Sequence, residues 1–587
     1  MGWLGCIYSG RVVVVVNFQD IQFNRFEVND ENRREIADRE LALQEKEREA
    51  VEERTERALK RVASHGRMTA LERIESVVDR YEDDAPRLWH IGAMRSYEGN
   101  ANASKALGVL CVLGVVAGRS VVIIANDNTQ SAGAWWPGTP EKIQAAQNMA
   151  LRLRIPVIYF VECAGLYLAC QEKTYAGAHG AGAIFERQAQ LNRSGIVQLA
   201  AVFGDCIAGG GYMPILCDKI VMTEQSSICI GGSAISSAAC GRQADRIGGP
   251  DVHVVYSHTA DARVADDGAA IAWIRREVEK LPTPATAYYR IADSVLPQAP
   301  IADLYDILPT DLSHPYNIED VVARIVDASQ CVPLCPEFGE EIYSCFATVD
   351  GLPVVIIANR AQTIESDGRL KSGGILYKEG IVKIRRIASA ANDDGIPTIW
   401  IQDVAGFDIG AQAERDGLLR LGAGILHEIA SDERDTPAAM TIVLRKASGA
   451  GYYAMKGSPF HPAWTVVTAI TRMEVMRSDV LASALYDKKI SKIDGEIKAR
   501  QIKDGLALDC AEIAQLARNR DELVEARTAL ASAQNDNAQP RAALARGDAD
   551  SFVALSQLRR AIVDFLHAAW QEQRIVRPKR LWGIWSL

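Results

Sequence analysis

The pattern of apolar positions changes from helical to strand-like near residue 95 of this chain. Before that point, between about residues 29 and 61, charged side chains surround a few apolar ones at helical spacing. This pattern predicts one or two exposed helices with a narrow apolar face. The apolar residues of that face are Ile36, Leu41, Leu43, Val51 and Leu59. The sequence Thr-Ala-Leu-Glu at residues 69–72 is a capping box, which predicts a further helix.

Beyond residue 95, short Val- and Ile-rich runs alternate with helix-patterned stretches. Residues 156–161 predict a strand and residues 141–153 a helix. The long apolar run at residues 107–125 is interrupted by Gly-Arg-Ser at 118–120, which predicts a turn between two strands. Continuous apolar strands between helices indicate a buried, largely parallel sheet. The fold class is therefore predicted to be α/β.

Three blocks of sequence recur in the same order. Val-Val-Ile-Ile-Ala-Asn begins at residues 121 and 354, an offset of 354 − 121 = 233. Ile-Pro, a strand and then Ala-Gly begin at residues 155 and 396, an offset of 241. Ala-Gly-Gly-Gly-Tyr at residue 208 matches Ser-Gly-Ala-Gly-Tyr at residue 448, an offset of 240. These matches indicate an internal duplication.

The duplication changes what the chain length suggests. A chain of 587 residues would by itself suggest roughly four domains. We instead predict two similar domains, at residues 91–325 and 326–587, behind a charged helical arm at residues 1–90.

Composition excludes several classes of protein. The chain is 48% hydrophobic and 24% charged, and 65 basic against 75 acidic side chains give −10, which argues against disorder and against a nucleic-acid-binding surface. Its apolar runs are too short to span a bilayer. The 12 cysteines include no Cys-x-x-Cys pair and the nine histidines form no cluster, so no metal site is predicted. We expect a cytoplasmic protein.

The repeated glycine-rich block is the best candidate for chemistry. In each half a strand, at residues 199–203 and 440–444, runs into this block and then into a predicted helix. Small residues there allow close approach to a ligand, and the first N–H groups of a helix have no partner within it. Adjacent N–H donors suit an oxyanion such as a thioester enolate. A tight packing contact between strand and helix is the alternative interpretation.

Three other motifs imitate known sites. Residues 204–208 resemble a nucleophile elbow with Cys206 in place of serine, but no histidine can be assigned to it. His427-Glu428 lacks the second histidine of a zinc protease. Ala-Met-Lys-Gly at residues 454–457 resembles a biotinylation motif but lacks its last methionine. We therefore expect biotin, if used, to arrive on another protein.

From about Met68 onwards, the chain resembles the carboxyltransferase subunits of biotin-dependent acyl-CoA carboxylases and decarboxylases. The matching segments are residues 68–74, 208–212, 230–232 and 448–452. Within this family the chain is most similar to glutaconyl-CoA decarboxylase alpha subunits. The segments that carry this finer likeness are residues 132–138, 171–173, 191–192, 373–377, 400–403 and 406–410.

The resemblance implies a fold and an assembly. The fold would be two tandem crotonase-like (ββα spiral) domains, and the chain would form a homo-oligomer of at least two copies with active sites shared between subunits. Its partners would be an acyl-CoA, a separate biotin carrier subunit and, for a decarboxylase, a membrane decarboxylase subunit.

The resemblance also implies roles for named residues. The N–H groups of Gly209 and Gly210 would hold the thioester oxygen, and those of Ala450 and Gly451 the ureido oxygen of biotin. The acyl-CoA would bind near Ala134, Trp135, Gly231 and Gly232.

The function stays open between several candidates. The first is transfer of CO2 from a carboxyacyl-CoA, best glutaconyl-CoA, to carrier-borne biotin. The second is the beta subunit of an acyl-CoA carboxylase, such as propionyl- or methylcrotonyl-CoA carboxylase. A crotonase-like hydratase or isomerase would need a glutamate pair, for which Glu224 is the candidate. A non-catalytic assembly subunit would not need intact glycine turns.

Two segments of the chain, residues 500–535 and the closing segment at 547–551, depart from the family pattern.

Overall fold

The computed structural model describes residues 18–24, 26–96, 105–230, 248–366, 368–430, 436–503 and 511–572. Its N-terminal segment contains one short strand and three helices. These are Gln19–Asp20 (β1), Asp30–Val51 (α1), Glu56–Ser64 (α2) and Ala70–Val77 (α3). The helix α3 opens with the predicted capping box, in which Thr69 and Glu72 each bind the backbone N–H of the other.

The first half of the chain forms one large sheet with helices between its strands. The strands are Leu88–His90 (β2), Val109–Val116 (β3), Arg119–Asn126 (β4), Val157–Cys163 (β5), Gln198–Ile207 (β6), Lys219–Thr223 (β7), Ser227–Cys229 (β8) and Ala262–Val264 (β9). The helices are Thr139–Leu153 (α4), Ala181–Arg193 (α5), Gly209–Ile215 (α6) and Asp267–Glu279 (α7). The sheet order is β2-β3-β4-β5-β6-β7-β9, and β8 also pairs with β6.

Three short helices connect the halves, and the second half forms its own sheets. The connecting helices are Thr286–Tyr289 (α8), Leu304–Ile307 (α9) and Ile318–Ala323 (α10). The strands of the second half are Gln330–Pro333 (β10), Ile342–Val349 (β11), Leu352–Asn359 (β12), Ile364–Ser366 (β13), Arg369–Lys371 (β14), Ile375–Leu376 (β15), Thr398–Val404 (β16), Gly406–Phe407 (β17), Ala439–Ser448 (β18), Trp464–Val467 (β19), Arg472–Glu474 (β20) and Ser551–Phe552 (β21). Its large sheet has the order β1-β10-β11-β12-β16-β18-β19-β21, and β20 also pairs with β18.

The helices of the second half follow the same alternation, except for a long pair near its end. They are Lys378–Asp394 (α11), Ala411–Arg415 (α12), Leu418–Ile429 (α13), Gly449–Ala454 (α14), Ser478–Lys503 (α15), Ala511–Asn537 (α16), Pro540–Arg546 (α17) and Leu558–Ala569 (α18). The described parts of the divergent stretch, residues 500–503 and 511–535, lie in the helices α15 and α16. These two helices are joined by ion pairs such as Arg520–Asp494 at 2.8 Å.

The sheet of the first half is buried on both faces, as its apolar strands predict. Alternate residues of β4 enter two different core clusters, Val122 and Ile124 in one and Val121 and Ile123 in the other. The predicted turn between β3 and β4 is confirmed. The Asp79 carboxylate accepts hydrogen bonds from the backbone N–H groups of Ala117 and Gly118 in this turn, at 3.1 and 2.7 Å.

The two halves repeat one another down to strand register. The strands β5 and β6 pair from Val157 with Gln198, and β16 and β18 pair from Thr398 with Ala439. The paired residues of the two halves are separated by the same sequence offset, since 398 − 157 = 241 and 439 − 198 = 241. The predicted duplication is therefore present in the tertiary structure. The exact domain boundaries stay predictions, although β2, within residues 1–90, already pairs with β3.

The N-terminal segment is more firmly attached than the exposed arm that the sequence predicts. The strand β1 pairs with β10, and the side chain of Asn32 donates to the carbonyl oxygens of Tyr305 and Leu308 at 2.6 and 2.9 Å. Leu41 and Leu59 of the predicted apolar face are exposed, whereas Ile36, Leu43 and Val51 are buried. The helix α1 is thus exposed over much of its surface, as predicted, and it buries Ile36, Leu43 and Val51 of its apolar face against its own chain.

The closing segment at residues 547–551 links the helix α17 to the strand β21. Gly547 adopts φ +79° and ends α17, and residues 551–552 then add β21 to the edge of the second sheet. The following helix α18 returns to the first half. Its buried Asp564 accepts hydrogen bonds from Tyr81, Arg87 and Trp89.

Candidate active site

The first glycine turn joins β6 to α6 through Ala208, which adopts φ +51°. Gly210 packs against the end of the neighbouring strand β5. A β-carbon at position 210 would lie 2.6 Å from the Cys163 carbonyl oxygen and 2.8 Å from the Cys163 sulfur. No side chain fits in that space, so a glycine at 210 lets the turn close over β5.

The second glycine turn has the same construction. Gly449 adopts φ +53° between β18 and α14, and a β-carbon at Gly451 would lie 2.6 Å from Val404 Cγ2. Val404 and Cys163 end equivalent strands, since 404 − 163 = 241. Gly451 therefore corresponds to Gly210, and Gly449 to Ala208.

The two glycine turns correspond in the structure at a sequence offset one residue larger than their letters suggest. The letters Ala-Gly-Gly-Gly-Tyr and Ser-Gly-Ala-Gly-Tyr align at an offset of 240, but the left-handed residue and the close contact both align at 241. At this offset Gly209 is equivalent to Ala450. Gly209 and Gly210 are the first two residues of α6, and Ala450 and Gly451 are the second and third of α14, so both predicted pairs lie in the first turn of equivalent helices.

Aromatic side chains surround the first turn. A β-carbon at Gly209 would lie 3.3 Å from Cζ3 of Trp135, which is fully buried. The Trp135 ring lies 6.1 Å from that of Phe185, which in turn lies 5.9 Å from that of Tyr212. Of the predicted acyl-CoA residues, the structure brings Trp135 against this turn, with Ala134 buried beside it. Gly231 and Gly232 lie outside the described residues.

The loop that carries Trp135 is fixed to the end of β5. The Trp135 N–H donates to the Gly165 carbonyl oxygen at 2.8 Å, and the Trp135 carbonyl oxygen accepts from Tyr167 at 2.9 Å. Trp136 stacks on Tyr167 with ring centroids 3.7 Å apart. The aromatic surface beside the first turn is therefore held in place by backbone contacts.

The second turn is open to solvent at its first residues. Ala450 is exposed and Gly451 buried, and the Tyr453 ring, 42% exposed, lies 5.6 Å from that of Tyr452 and 6.4 Å from that of Phe460. A group that approaches from solvent can therefore reach this turn.

A scan against family models matches residues 61–584 to the "Carboxyl transferase domain". The chain belongs to this family. The matched region covers α3, both halves and both glycine turns, and it leaves α1 outside. The family predicted from the sequence is confirmed.

Two relatives of this chain have different named activities. The chain is 32% identical over 433 residues to the biotin-dependent 3-methylcrotonyl-coenzyme A carboxylase beta1 subunit of Mycobacterium tuberculosis, covering 73% of this chain and 78% of the relative. It is 28% identical over 547 residues to the glutaconyl-CoA decarboxylase subunit alpha of Acidaminococcus fermentans, covering 88% of each. Its relatives are thus subunits of both carboxylases and decarboxylases.

A solved structure supports the fold of the domain. The beta subunit of P. aeruginosa geranyl-CoA carboxylase superimposes with a TM-score of 0.75, at 21% sequence identity, over 96% of this chain and 99% of that subunit. The predicted α/β fold with two tandem domains is confirmed.

Sequence reasoning missed a buried carboxylate behind each turn of the carboxyl transferase domain. Glu162 and Asp403 occupy the same place in the two halves, since 403 − 162 = 241, and both are buried. Each stands one residue before the strand end that its glycine turn contacts. The repeated Ala-Gly after each strand could have indicated the pair, because Glu162 and Asp403 each precede it by two residues.

Cys206 and Lys456 of the imitated motifs are buried, and the hydratase candidate Glu224 faces a cation. Cys206 is fully buried, and burial raises the pKa of its thiol well above the usual range. Lys456 is buried, donates from Nζ to the Ile429 carbonyl oxygen at 2.7 Å, and has its pKa lowered by burial to about 7. Glu224 lies 3.9 Å from Arg263 and is half exposed.

Among the described residues, no cluster of three or more His, Cys, Asp or Glu side chains could hold a metal ion. No described helix is long and apolar enough to cross a bilayer.

Proposed function

We propose that this chain moves a carboxyl group between a carboxyacyl-CoA and biotin borne on a separate carrier protein. The observation that carries the proposal is the pair of glycine turns, each of which has a residue with positive φ and a close contact with the neighbouring strand end at equivalent positions in the two halves. Carboxyl transfer develops negative charge at two oxygen atoms, one on each reactant. A duplicated fold provides one donor turn for each.

The turn at Gly209 and Gly210 would bind the acyl-CoA thioester. When the bond between the acyl chain and its carboxyl group breaks, the electron pair moves into the thioester carbonyl. The first N–H groups of α6 would stabilise the charge on that oxygen, and one such donor can lower a barrier by about 3 kcal/mol. The buried Trp135 ring gives the thioester an apolar neighbour, which strengthens these contacts by excluding water.

The turn at Ala450 and Gly451 would bind biotin through its ureido oxygen. Biotin supplies the nitrogen that carries the carboxyl group between reactants. The exposed Ala450 and Tyr453 fit a group that arrives on another protein. The buried Lys456 does not fit a biotinylation site, so we propose a separate carrier subunit as the partner.

The acyl-CoA is proposed to be glutaconyl-CoA, with decarboxylation as the direction. The similarity to a glutaconyl-CoA decarboxylase subunit over 88% of the chain supports this substrate. The higher identity to a 3-methylcrotonyl-coenzyme A carboxylase subunit, over a shorter region, supports the alternative of an acyl-CoA carboxylase beta subunit. In either case we propose a homo-oligomer within a larger complex. A membrane decarboxylase subunit would join it in the first case.

The experiment is an assay of the purified chain with free biotin. Glutaconyl-CoA should be consumed in a biotin-dependent reaction, and malonyl- and methylmalonyl-CoA should not. Consumption of a carboxylase product, such as 3-methylglutaconyl-CoA, instead would favour the alternative. If no carboxyacyl-CoA is consumed with biotin, both are wrong. Hydration of crotonyl-CoA without biotin would then favour a hydratase.

A further inference from the structure

We propose that Glu162 and Asp403 are positioning residues, each of which holds the strand bulge that delivers its own glycine turn. The cations that pair with Glu162 come from the N-terminal segment of the chain. The cations that pair with Asp403 come from the neighbouring strand β18. The proposal rests on the proposed function for its catalytic consequence, but its structural part can be tested separately.

Each carboxylate stands opposite a bulge. The strands β5 and β6 pair at Val161 with Val202 and again at Cys163 with Cys206, so Glu162 alone faces residues 203–205. The strands β16 and β18 pair at Gln402 with Val443 and at Val404 with Ala447, so Asp403 alone faces residues 444–446. Bulges disrupt the ladder of backbone hydrogen bonds and redirect the strand. Here the redirected strand runs straight into the glycine turn.

In the second half the carboxylate binds the bulge directly. The Lys446 N–H donates to Asp403 Oδ1 at 3.2 Å, and Arg445 Nε lies 3.3 Å from Asp403 Oδ2. Arg445 is itself fixed, because its guanidinium donates to the carbonyl oxygens of His314 and Leu312 at 2.9 and 3.0 Å. Both charges of the Arg445–Asp403 pair are 1% exposed. Arg445 and Lys446, which contact the Asp403 carboxylate from the strand β18, therefore both belong to the bulge.

In the first half the equivalent position to Arg445 is Gly204, since 445 − 204 = 241. A β-carbon there would lie 2.6 Å from Glu162 Cδ and 2.8 Å from an Arg67 guanidinium nitrogen. Gly204 thus leaves space for guanidinium groups from elsewhere in the chain. They come from the N-terminal segment: Arg67 lies 2.8 Å from Glu162 Oε1, and Arg73 lies 2.9 Å from Oε2.

The first-half network is closed by two further contacts. The Asn128 side chain donates to Glu162 Oε2 at 3.1 Å, and Arg73 also donates to Asp267 at 2.8 Å. Arg73 is fully buried, so loss of the Glu162 charge would leave Asp267 as the one anion paired with its guanidinium, which lowers the stability of the network. It follows that the acyl-CoA turn depends on residues before β2, whereas the biotin turn does not.

Hydrogen–deuterium exchange of the full chain tests the structural part. The variants are Glu162→Gln and the matched Asp403→Asn, which keep shape and remove one charge. Glu162→Gln should speed amide exchange in residues 203–212 by about tenfold or more and leave residues 444–453 within about twofold. Asp403→Asn should do the reverse. Unchanged exchange in both variants, or equal acceleration of both segments in either, would overturn the proposal.

A second variant protects the test against misfolding. Arg67 is 19% exposed, so Arg67→Gln should fold even if Glu162→Gln does not, and it should loosen only residues 203–212. The control is Arg33→Gln, which removes an ion pair of α1 with Asp306 and should change neither segment. Loosening by Arg33→Gln to the same degree as by Arg67→Gln would contradict a specific role for Arg67.

Kinetics test the catalytic consequence. With free biotin and the acyl-CoA that the wild type consumes, Glu162→Gln should lower kcat by about tenfold or more while the KM for biotin stays within about twofold. A wild type without biotin-dependent activity would contradict the proposed function alone, because the exchange pattern still decides the structural part. An active wild type with an unchanged Glu162→Gln kcat would overturn the positioning role.

Discussion

Lys142 and Lys383 occupy the same place in the two halves, since 383 − 142 = 241, and each ammonium group binds the start of a buried strand. Lys142 Nζ donates to the Val109 carbonyl oxygen at 2.8 Å, and Lys383 Nζ donates to that of Ile342 at 2.7 Å. Both side chains are buried. The duplication has therefore kept a buried cation on the helices α4 and α11 as well as the glycine turns.

These lysines should make stability depend on pH. Burial lowers the pKa of each from 10.5 to about 8. Between these two values the unfolded chain binds more protons than the folded one, so the free energy of unfolding rises with pH. Lys142→Met removes one such group. We expect the stability advantage of the wild type over this variant to grow by about 2 kcal/mol between about pH 8 and pH 10.

Urea denaturation at each pH measures this difference. Lys498→Met, on the exposed face of α15, is the control and should show the same pH dependence as the wild type. A constant difference between the wild type and Lys142→Met across the pH range would contradict the prediction. The carbonyl oxygens that lose their donor lower the stability of the variant at every pH, so only the slope is informative.

The close contact of the first turn should make Gly210 intolerant of any side chain. Gly210→Ala places a methyl group 2.6 Å from the Cys163 carbonyl oxygen, so the turn must move and its N–H donors with it. We expect biotin-dependent turnover to fall by about 100-fold or more. Gly182→Ala, in α5 with no atom within 4 Å of its β-carbon, should keep full activity. Activity in Gly210→Ala close to that of Gly182→Ala would refute the oxyanion assignment.

The attachment of α1 should contribute measurably to stability. Buried Glu40 accepts hydrogen bonds from the Tyr305 hydroxyl at 2.6 Å and from the Leu555 N–H at 2.8 Å, which joins α1 to both the connecting helices and the C-terminal segment. Glu40→Ala leaves both donors unpaired. We expect the free energy of unfolding to fall by about 2–3 kcal/mol. Glu45→Ala, exposed on the same helix, should change the urea midpoint little, and an equal loss in both variants would argue against a specific contact.

The contact of α18 with the first half should be stronger still. Asp564 is 5% exposed in its side chain and lies 2.7 Å from Arg87, so Asp564→Ala leaves a partly buried guanidinium without its anion. We expect a loss of about 3–5 kcal/mol in unfolding free energy. The exposed pair of Arg560 with Asp83 is the matched comparison. Asp83→Ala should leave the thermal midpoint unchanged, and a comparable loss there would show that burial is not the cause.

Some parts of the fold could be predicted because they depend on local sequence. The capping box forms between Thr69 and Glu72, and the turn between β3 and β4 follows from the Gly-Arg-Ser break at residues 118–120 in an apolar run. The buried strands of both halves were predictable because continuous apolar runs leave few alternatives. The attachment of α1 could not be predicted, because its partners Tyr305 and Leu555 lie 265 and 515 residues away.

The sequence by itself determined the family, the duplication and the position of both glycine turns, since these depend on residue type at short spacing. Only the tertiary structure decided how the turns correspond. Glycine, alanine and serine are nearly interchangeable in an alignment, but a left-handed φ and a contact with Cys163 or Val404 fix the offset at 241 rather than 240. The tertiary structure also brings Arg67 and Arg73 to Glu162 across 95 and 89 residues. Ion pairs between residues so far apart in sequence form only because the tertiary fold brings the two segments together.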